Sequence, residues 1–192
     1  MLNRRHALAA LAGAVAAPTL GRAQAFPSKP ITLVVAYPAG GPTDAIARII
    51  AQDLSATFGQ NVVVDNRAGA SGAVGTRSVA RSEADGYTIT FGNNQTHGNN
   101  MFLLKEPGYD AVKDFAPLLG LGSFEHVFVV RNELPVKTIG ELIALAKQDP
   151  GKLNYGSTGV GSGSHLSTEL FMVRTGIKMT HVPFRGAAPL VQ

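Results

Sequence analysis

Two glycine-rich turns carry the residues best suited to chemistry. The first is Tyr37-Pro38-Ala39-Gly40-Gly41-Pro42-Thr43-Asp44, and the second is Tyr155-Gly156-Ser157-Thr158-Gly159-Val160-Gly161-Ser162-Gly163-Ser164. Each stands between an apolar run and a helical pattern. Such a turn aims unpaired backbone N–H groups and the positive end of a helix at one point, which binds an anion without a metal. Gly40 and Gly41 allow close backbone approach to a ligand, and Thr43 can donate its hydroxyl. Asp44 opposes a carboxylate, so its use is as an acceptor for a ligand amine, a ligand hydroxyl or a bridging water. Ser157, Thr158, Ser162 and Ser164 add hydroxyls around the second set of N–H groups, and Arg185 beside Gly186 can pair with a second ligand carboxylate. The plainer alternatives are that Thr43 and Asp44 only cap a helix, that the second turn is a surface loop, and that Arg185 is solvated.

Other chemistries lack their residues. The chain has no cysteine, which excludes disulfides and thiolate nucleophiles, and its five histidines show no metal spacing. Gly69-Ala70-Ser71-Gly72-Ala73 falls short of a nucleophile elbow because Ala73 ends it. Gly159-Val160-Gly161-Ser162-Gly163-Ser164 imitates a dinucleotide fingerprint, but Ser164 replaces the third glycine and no acid follows on a second strand. No P-loop is present. We expect no cofactor, no metal and no catalysis.

The elements that must position these turns alternate. Ile31 to Val35 reads as a buried parallel strand, and Asp44 to Phe58 as a helix with Ile46, Ile50 and Leu54 on one face, closed by Gly59. Val62 to Val64 is a strand, Asn66 to Gly72 a turn, Ala73 to Arg81 a helix and Tyr87 to Phe91 a strand. A strand is expected at His126 to Arg131, after an irregular stretch from Asn93 to Leu121. Thr138-Ile139-Gly140-Glu141 is a capping box for a helix that ends before Pro150. Leu153 to Tyr155 and Met179 to Val182 are strands flanking a helix from Ser164 to Arg174, and Gly186 to Pro189 turns into a further helix. This alternation predicts an α/β fold with parallel sheets.

The N-terminus predicts export. Arg4 and Arg5 precede an apolar stretch, Ala7 to Ala17, shorter than the roughly 20 residues of a membrane span. Ala23-Gln24-Ala25 fits a cleavage site, giving a signal peptide over residues 1–25, of either the general secretory or the twin-arginine kind. The 17 Lys and Arg against 13 Asp and Glu include Arg4, Arg5 and Arg22, so the mature balance is 14 against 13. That near-neutral balance, with scattered basic residues, gives no nucleic-acid surface.

Pro30 to Asp44 resembles the opening of the Bug-type (TctC family) substrate-binding proteins of tripartite tricarboxylate transporters. Val62-Val63-Val64-Asp65-Asn66-Arg67-Ala68-Gly69-Ala70, Asp85-Gly86-Tyr87-Thr88, Tyr109 to Pro117, Pro150 to Ser157, Ser164-His165-Leu166 and His181 to Gly186 extend the resemblance along the mature chain. It implies a two-lobed, Venus-flytrap periplasmic binding protein, with residues 26–122 in the first lobe and 123–192 in an incomplete second lobe, since the family continues beyond Gln192. It implies a small carboxylate held between the lobes by Tyr37, Ala39, Gly40, Gly41, Thr43 and Asp44 on one side and Ser157, Thr158, Ser164 and Arg185 on the other. The implied partners are the membrane subunits of the transporter, and the full-length protein is expected to be a monomer. Dicarboxylates, tricarboxylates, aromatic acids and amino acids all suit such loops. A ligand-sensing subunit for a sensor kinase and a periplasmic hydrolase are the other readings.

Overall fold

The structure is a computed structural model that describes residues 25–191. The expected signal peptide therefore lies outside the described residues, apart from Ala25.

The first sheet has three parallel strands in the order β2-β1-β3: β1 (Ile31–Val35), β2 (Val62–Asn66) and β3 (Thr88–Phe91). Leu33 pairs with Val64 on one side and Ile89 on the other, so β1 is the centre. Four of its five residues are buried, as a strand covered on both faces requires. Ile31, Leu33 and Val35 pack with Ala47 and Ala51 of α1 (Pro42–Phe58) and with Val62. On the opposite face lies α2 (Ala73–Ala80). There Gly75 brings the helix so near β1 that an added Cβ would lie 2.7 Å from the Arg67 carbonyl and 3.0 Å from Ala36 Cα.

Helix α1 ends as expected, with Gly59 in the left-handed conformation at φ 64°. Its buried face differs from the expected one. The buried residues are Asp44, Ala47 and Ala51, while Ile46 is 46% exposed. Small residues let the helix sit close to the sheet, and the larger Leu54 packs at the margin.

After β3 the chain forms a π-type turn at Gln95–Asn99 that runs into α3 (Asn100–Leu103). The buried Asn100 donates to the Ser71 carbonyl at 3.0 Å, which ties this segment to the turn at Ala70–Gly72, and within the segment the Tyr109 hydroxyl donates to the Thr96 carbonyl at 2.6 Å.

The expected strand at His126 to Arg131 is absent; these residues have no regular structure, and Val127 and Val129 are about four-fifths exposed. Their alternating apolar pattern suits a strand, but none of the described strands pairs with them. The helix after Thr138 forms as α4 (Ile139–Gln148). The Thr138 side chain accepts from the Glu141 N–H, and Glu141 accepts in return from the Thr138 N–H. The second sheet pairs β4 (Asn154–Ser157) with β5 (Thr180–Pro183) in parallel, joined by α5 (Gly163–Thr175). The expected helix after Gly186 is a single 3-10 turn at Ala188–Leu190.

Candidate functional site

The strand order 2-1-3 locates a crevice. In such sheets ligands bind beyond the carboxyl ends of strands whose connections leave in opposite directions, here β1 and β3. The first glycine turn follows β1, and Gly92 to Asn94 follow β3. The Tyr37 hydroxyl donates to Asn93 Oδ1 at 3.0 Å and links the two. Burial pushes the Tyr37 hydroxyl up to about 12, so it remains a donor. Asn93 Oδ1 also accepts from the N–H groups of Gln95 and Thr96, which caps the following turn.

The first turn is fixed from within. Asp44 is 4% exposed, and its Oδ2 accepts from the Gly40 N–H and from Arg48 Nε, both at 2.9 Å. Its Oδ1 accepts from Asn66 Nδ2 at 3.0 Å. Arg48 first, then the Gly40 and Asn66 donors, outweigh burial and hold the carboxyl at about 2. Asp44 thus acts chiefly within the protein, with one Oδ1 lone pair left. Asn66 also donates to the Tyr37 carbonyl, so β2 braces the turn after β1.

Gly40 has φ +84°, which favours glycine, and Gly41 is the N-cap of α1 without a side-chain cap. Thr43 therefore does not cap the helix. Pro42 has no N–H, leaving the N–H groups of Gly41, Thr43 and Asp44 without intrahelical acceptors. Ala39 and Gly40 are exposed at the tip.

The second turn has the same logic with more hydroxyls. Ser162 is the N-cap of α5 and accepts from the His165 N–H at 3.2 Å. Ser164 Oγ accepts from the Thr158 N–H and lies within hydrogen-bond distance of the Thr158 and Ser162 hydroxyls. Ser157 is fully buried, with its Oγ 2.7 Å from His181 Nε2. Arg185 is exposed two residues beyond β5.

Three side chains from the first region reach the second turn. Ser71 Oγ donates to the Val160 carbonyl at 2.9 Å, Gln95 Nε2 to the same carbonyl at 3.1 Å, and Asn99 Nδ2 to the Gly161 carbonyl at 3.0 Å. A cavity of about 150 Å³ lies beside this junction, lined in part by Ser71, Leu103, Gly161 and His165. Ser71, Gln95 and Asn99 were not among the expected site residues, because the bonds they make span 62 to 89 positions of sequence. The Asn66 bonds to Asp44 and Tyr37 likewise span 22 and 29 positions.

Residues 46–192 match the family described as the tripartite tricarboxylate transporter family receptor, TctC. The chain is 40% identical over 192 residues to a UPF0065 protein from the tcbD-tcbE intergenic region of Pseudomonas sp. strain P51, with 99% of this chain and 57% of the relative covered. The chain belongs to the TctC family. The family's members are periplasmic solute-binding proteins, and Bordetella pertussis BugT is 38% identical over 92% of this chain and 54% of its own. Among solved structures, Rpa4515 of R. palustris with adipate superposes with a TM-score of 0.84 at 42% identity, covering 86% of this chain and 56% of that one. MatC of Rhodopseudomonas palustris with bound malate gives 0.74 at 31% identity, over 87% and 57%. The fold is that of the two-lobed periplasmic binding proteins, and the TctC chain described here spans about half the length of the relatives it matches.

Proposed function

We propose that this protein captures a small carboxylate between the two glycine-rich turns, in the periplasm, and delivers it to the membrane subunits of a tripartite tricarboxylate transporter. The observation that carries the reading is that α1 and α5 both open from glycine-rich turns at the carboxyl ends of parallel strands, the second turn being held by Ser71, Gln95 and Asn99 of the first region. Free N–H groups at such ends attract negative charge. Relatives with adipate and malate bound support a dicarboxylate as the ligand class.

In this reading the N–H groups of Gly41, Thr43 and Asp44, with the Thr43 hydroxyl, hold one carboxylate. Tyr37, Ala39 and Gly40 shape the approach, and Asp44 fixes the turn while its open lone pair accepts from a ligand hydroxyl or amine. Thr158 and Ser164 shape the opposite wall, buried Ser157 supports it from behind, and Arg185 pairs with the second carboxylate. Residues 26–122 form one lobe and residues from 123 onward belong to the other. Residues 1–25 direct export and are removed.

The Ser157–His181 pair has the geometry of a nucleophile and base, but Ser157 is 0% exposed. A nucleophile must reach its substrate, so we read the pair as packing within the second sheet. Native mass spectrometry of the full-length protein, purified without added ligand, tests the proposal. A retained mass matching a small organic acid is expected; a protein that carries none and takes up neither adipate nor malate contradicts it.

A further inference from the structure

The backbone of the second turn is anchored by an imidazole. The Gly161 N–H donates to His165 Nδ1 at 3.0 Å, so that nitrogen carries no proton and the neutral ring bears its hydrogen on Nε2. Nε2 lies 3.6 Å from Glu169 Oε1, one helical turn along α5. The ring is only 17% exposed, and its far face is covered by His181 of β5, stacked at 4.0 Å with an interplanar angle of 10°. Tyr155 of β4 stacks on His181 at 4.9 Å, lies 6.5 Å from the His165 ring, and donates its hydroxyl to Glu169. Gly161 is also the residue whose carbonyl accepts from Asn99, and its neighbour Val160 accepts from Ser71 and Gln95. The imidazole therefore fixes the same two residues that join the second turn to the first region.

We propose that His165 is a positioning residue whose neutral Nε2–H form is required for the second turn to hold its ligand-binding shape, so that ligand affinity falls as the ring gains a proton. This rests on the carboxylate-binding reading above. A proton on Nδ1 sets one donor against another, and the Gly161 bond is lost. The turn is then free to leave the Ser71, Gln95 and Asn99 donors.

The groups facing the ring act in both directions. Glu169 on α5 favours the charged ring, but its carboxylate already accepts from Tyr155. Stacked His181 opposes a second charge. Burial, and then neighbouring His165, hold the His181 ring below the ordinary imidazole value, against a smaller upward pull from Glu169. From the irregular segment, His126 approaches the start of α5 near Gly163. The neutral ring belongs to the anchored state, so anchoring is complete at high pH. A proton gained on Nδ1 as pH falls removes the anchor.

Nitrogen-15 NMR of the histidine rings in the full-length protein, without ligand, gives the first test, with the His165 signals assigned by their loss in His165→Asn. The Nε2–H tautomer is expected at pH 7.5; an Nδ1–H tautomer or a charged ring overturns the anchor. Calorimetry with adipate and malate from pH 8 to 5.5 gives the second. Wild-type affinity should fall as pH is lowered, by up to about tenfold per pH unit. In His165→Asn an amide oxygen replaces Nδ1 without titrating, so only the slope due to the acid's own ionisation should remain. His165→Ala should bind more weakly than His165→Asn. A shared slope for wild type and His165→Asn, or equal binding by the Ala and Asn variants, overturns the proposal. A wild type that binds neither acid refutes the carboxylate reading itself, and the tautomer measurement judges the anchor separately.

Discussion

Replacing Asp44 with asparagine tests how the first turn is held. The carboxylate accepts three hydrogen bonds, from Gly40, Arg48 and Asn66, two at 2.9 Å and one at 3.0 Å. Its folded value of about 2 lies below the ordinary 3.8. A difference near two pH units corresponds to about 2.5 kcal/mol of stability, and screening at the half-exposed Arg48 trims this to about 2 kcal/mol. The depressed value sets the sign: the contribution is present in full above about pH 5 and fades as pH falls through 3.8 towards 2. At pH 3 about half of it should remain. Asp44→Asn keeps one acceptor oxygen but sets an NH₂ group against Arg48 or Asn66, so the contribution is lost at every pH. Urea unfolding of both proteins at pH 7 and pH 3 reads the difference directly, because other carboxylates cancel between them. The expected gap is about 2 kcal/mol at pH 7, narrowing by about half at pH 3. A gap below about 0.5 kcal/mol, the usual scale of a surface substitution, or one that does not change with pH, would refute this account of the turn.

Three further outcomes follow from the same geometry. Gly41→Val should abolish carboxylate binding in calorimetry with little change in the urea midpoint, because Gly41 has φ −82° and an added Cβ meets only the Pro38 carbonyl at 3.7 Å; unchanged affinity would make the turn a mere connector. Tyr37→Phe removes the bond to Asn93 and should cost about 1 kcal/mol in urea unfolding, with loss of the Asn93 link between the β1 and β3 turns. Thr138→Ala breaks a complete capping box and should cost about 1 kcal/mol in the same assay while leaving ligand affinity unchanged, since α4 does not contribute to the turns.

The parts of the fold legible in the sequence are those set by local chemistry. Ile31 to Val35 is apolar but for the β-branched Thr32 because both faces are covered, and Thr138 with Glu141 spells its own cap. Gly59 closes its helix in the left-handed conformation that glycine favours. What misled was size and pairing. The isoleucines of α1 drew attention to the wrong face, since Ala47 and Ala51 make the close contact with the sheet. His126 to Arg131 has a strand's alternation, yet a strand exists only with a neighbour, and alternation says nothing of neighbours. The candidate site divides the same way. Glycines, serines and Thr43 announced the two turns. The braces that hold them, from Asn66, Asn93, Gln95 and Asn99, are side-chain amides whose partners lie far along the chain, and a single sequence holds no trace of such pairs.

The central claim is that the turns recognise negative charge rather than shape alone. Calorimetry of the full-length protein with a panel of diacids, adipate and malate first, each set against its neutral diamide at pH 7.5, tests it most directly. Saturable binding of at least one diacid, with no measurable binding of the diamide of equal length, is the predicted result. Equal binding of diacid and diamide, or no binding of any acid in the panel, would contradict it.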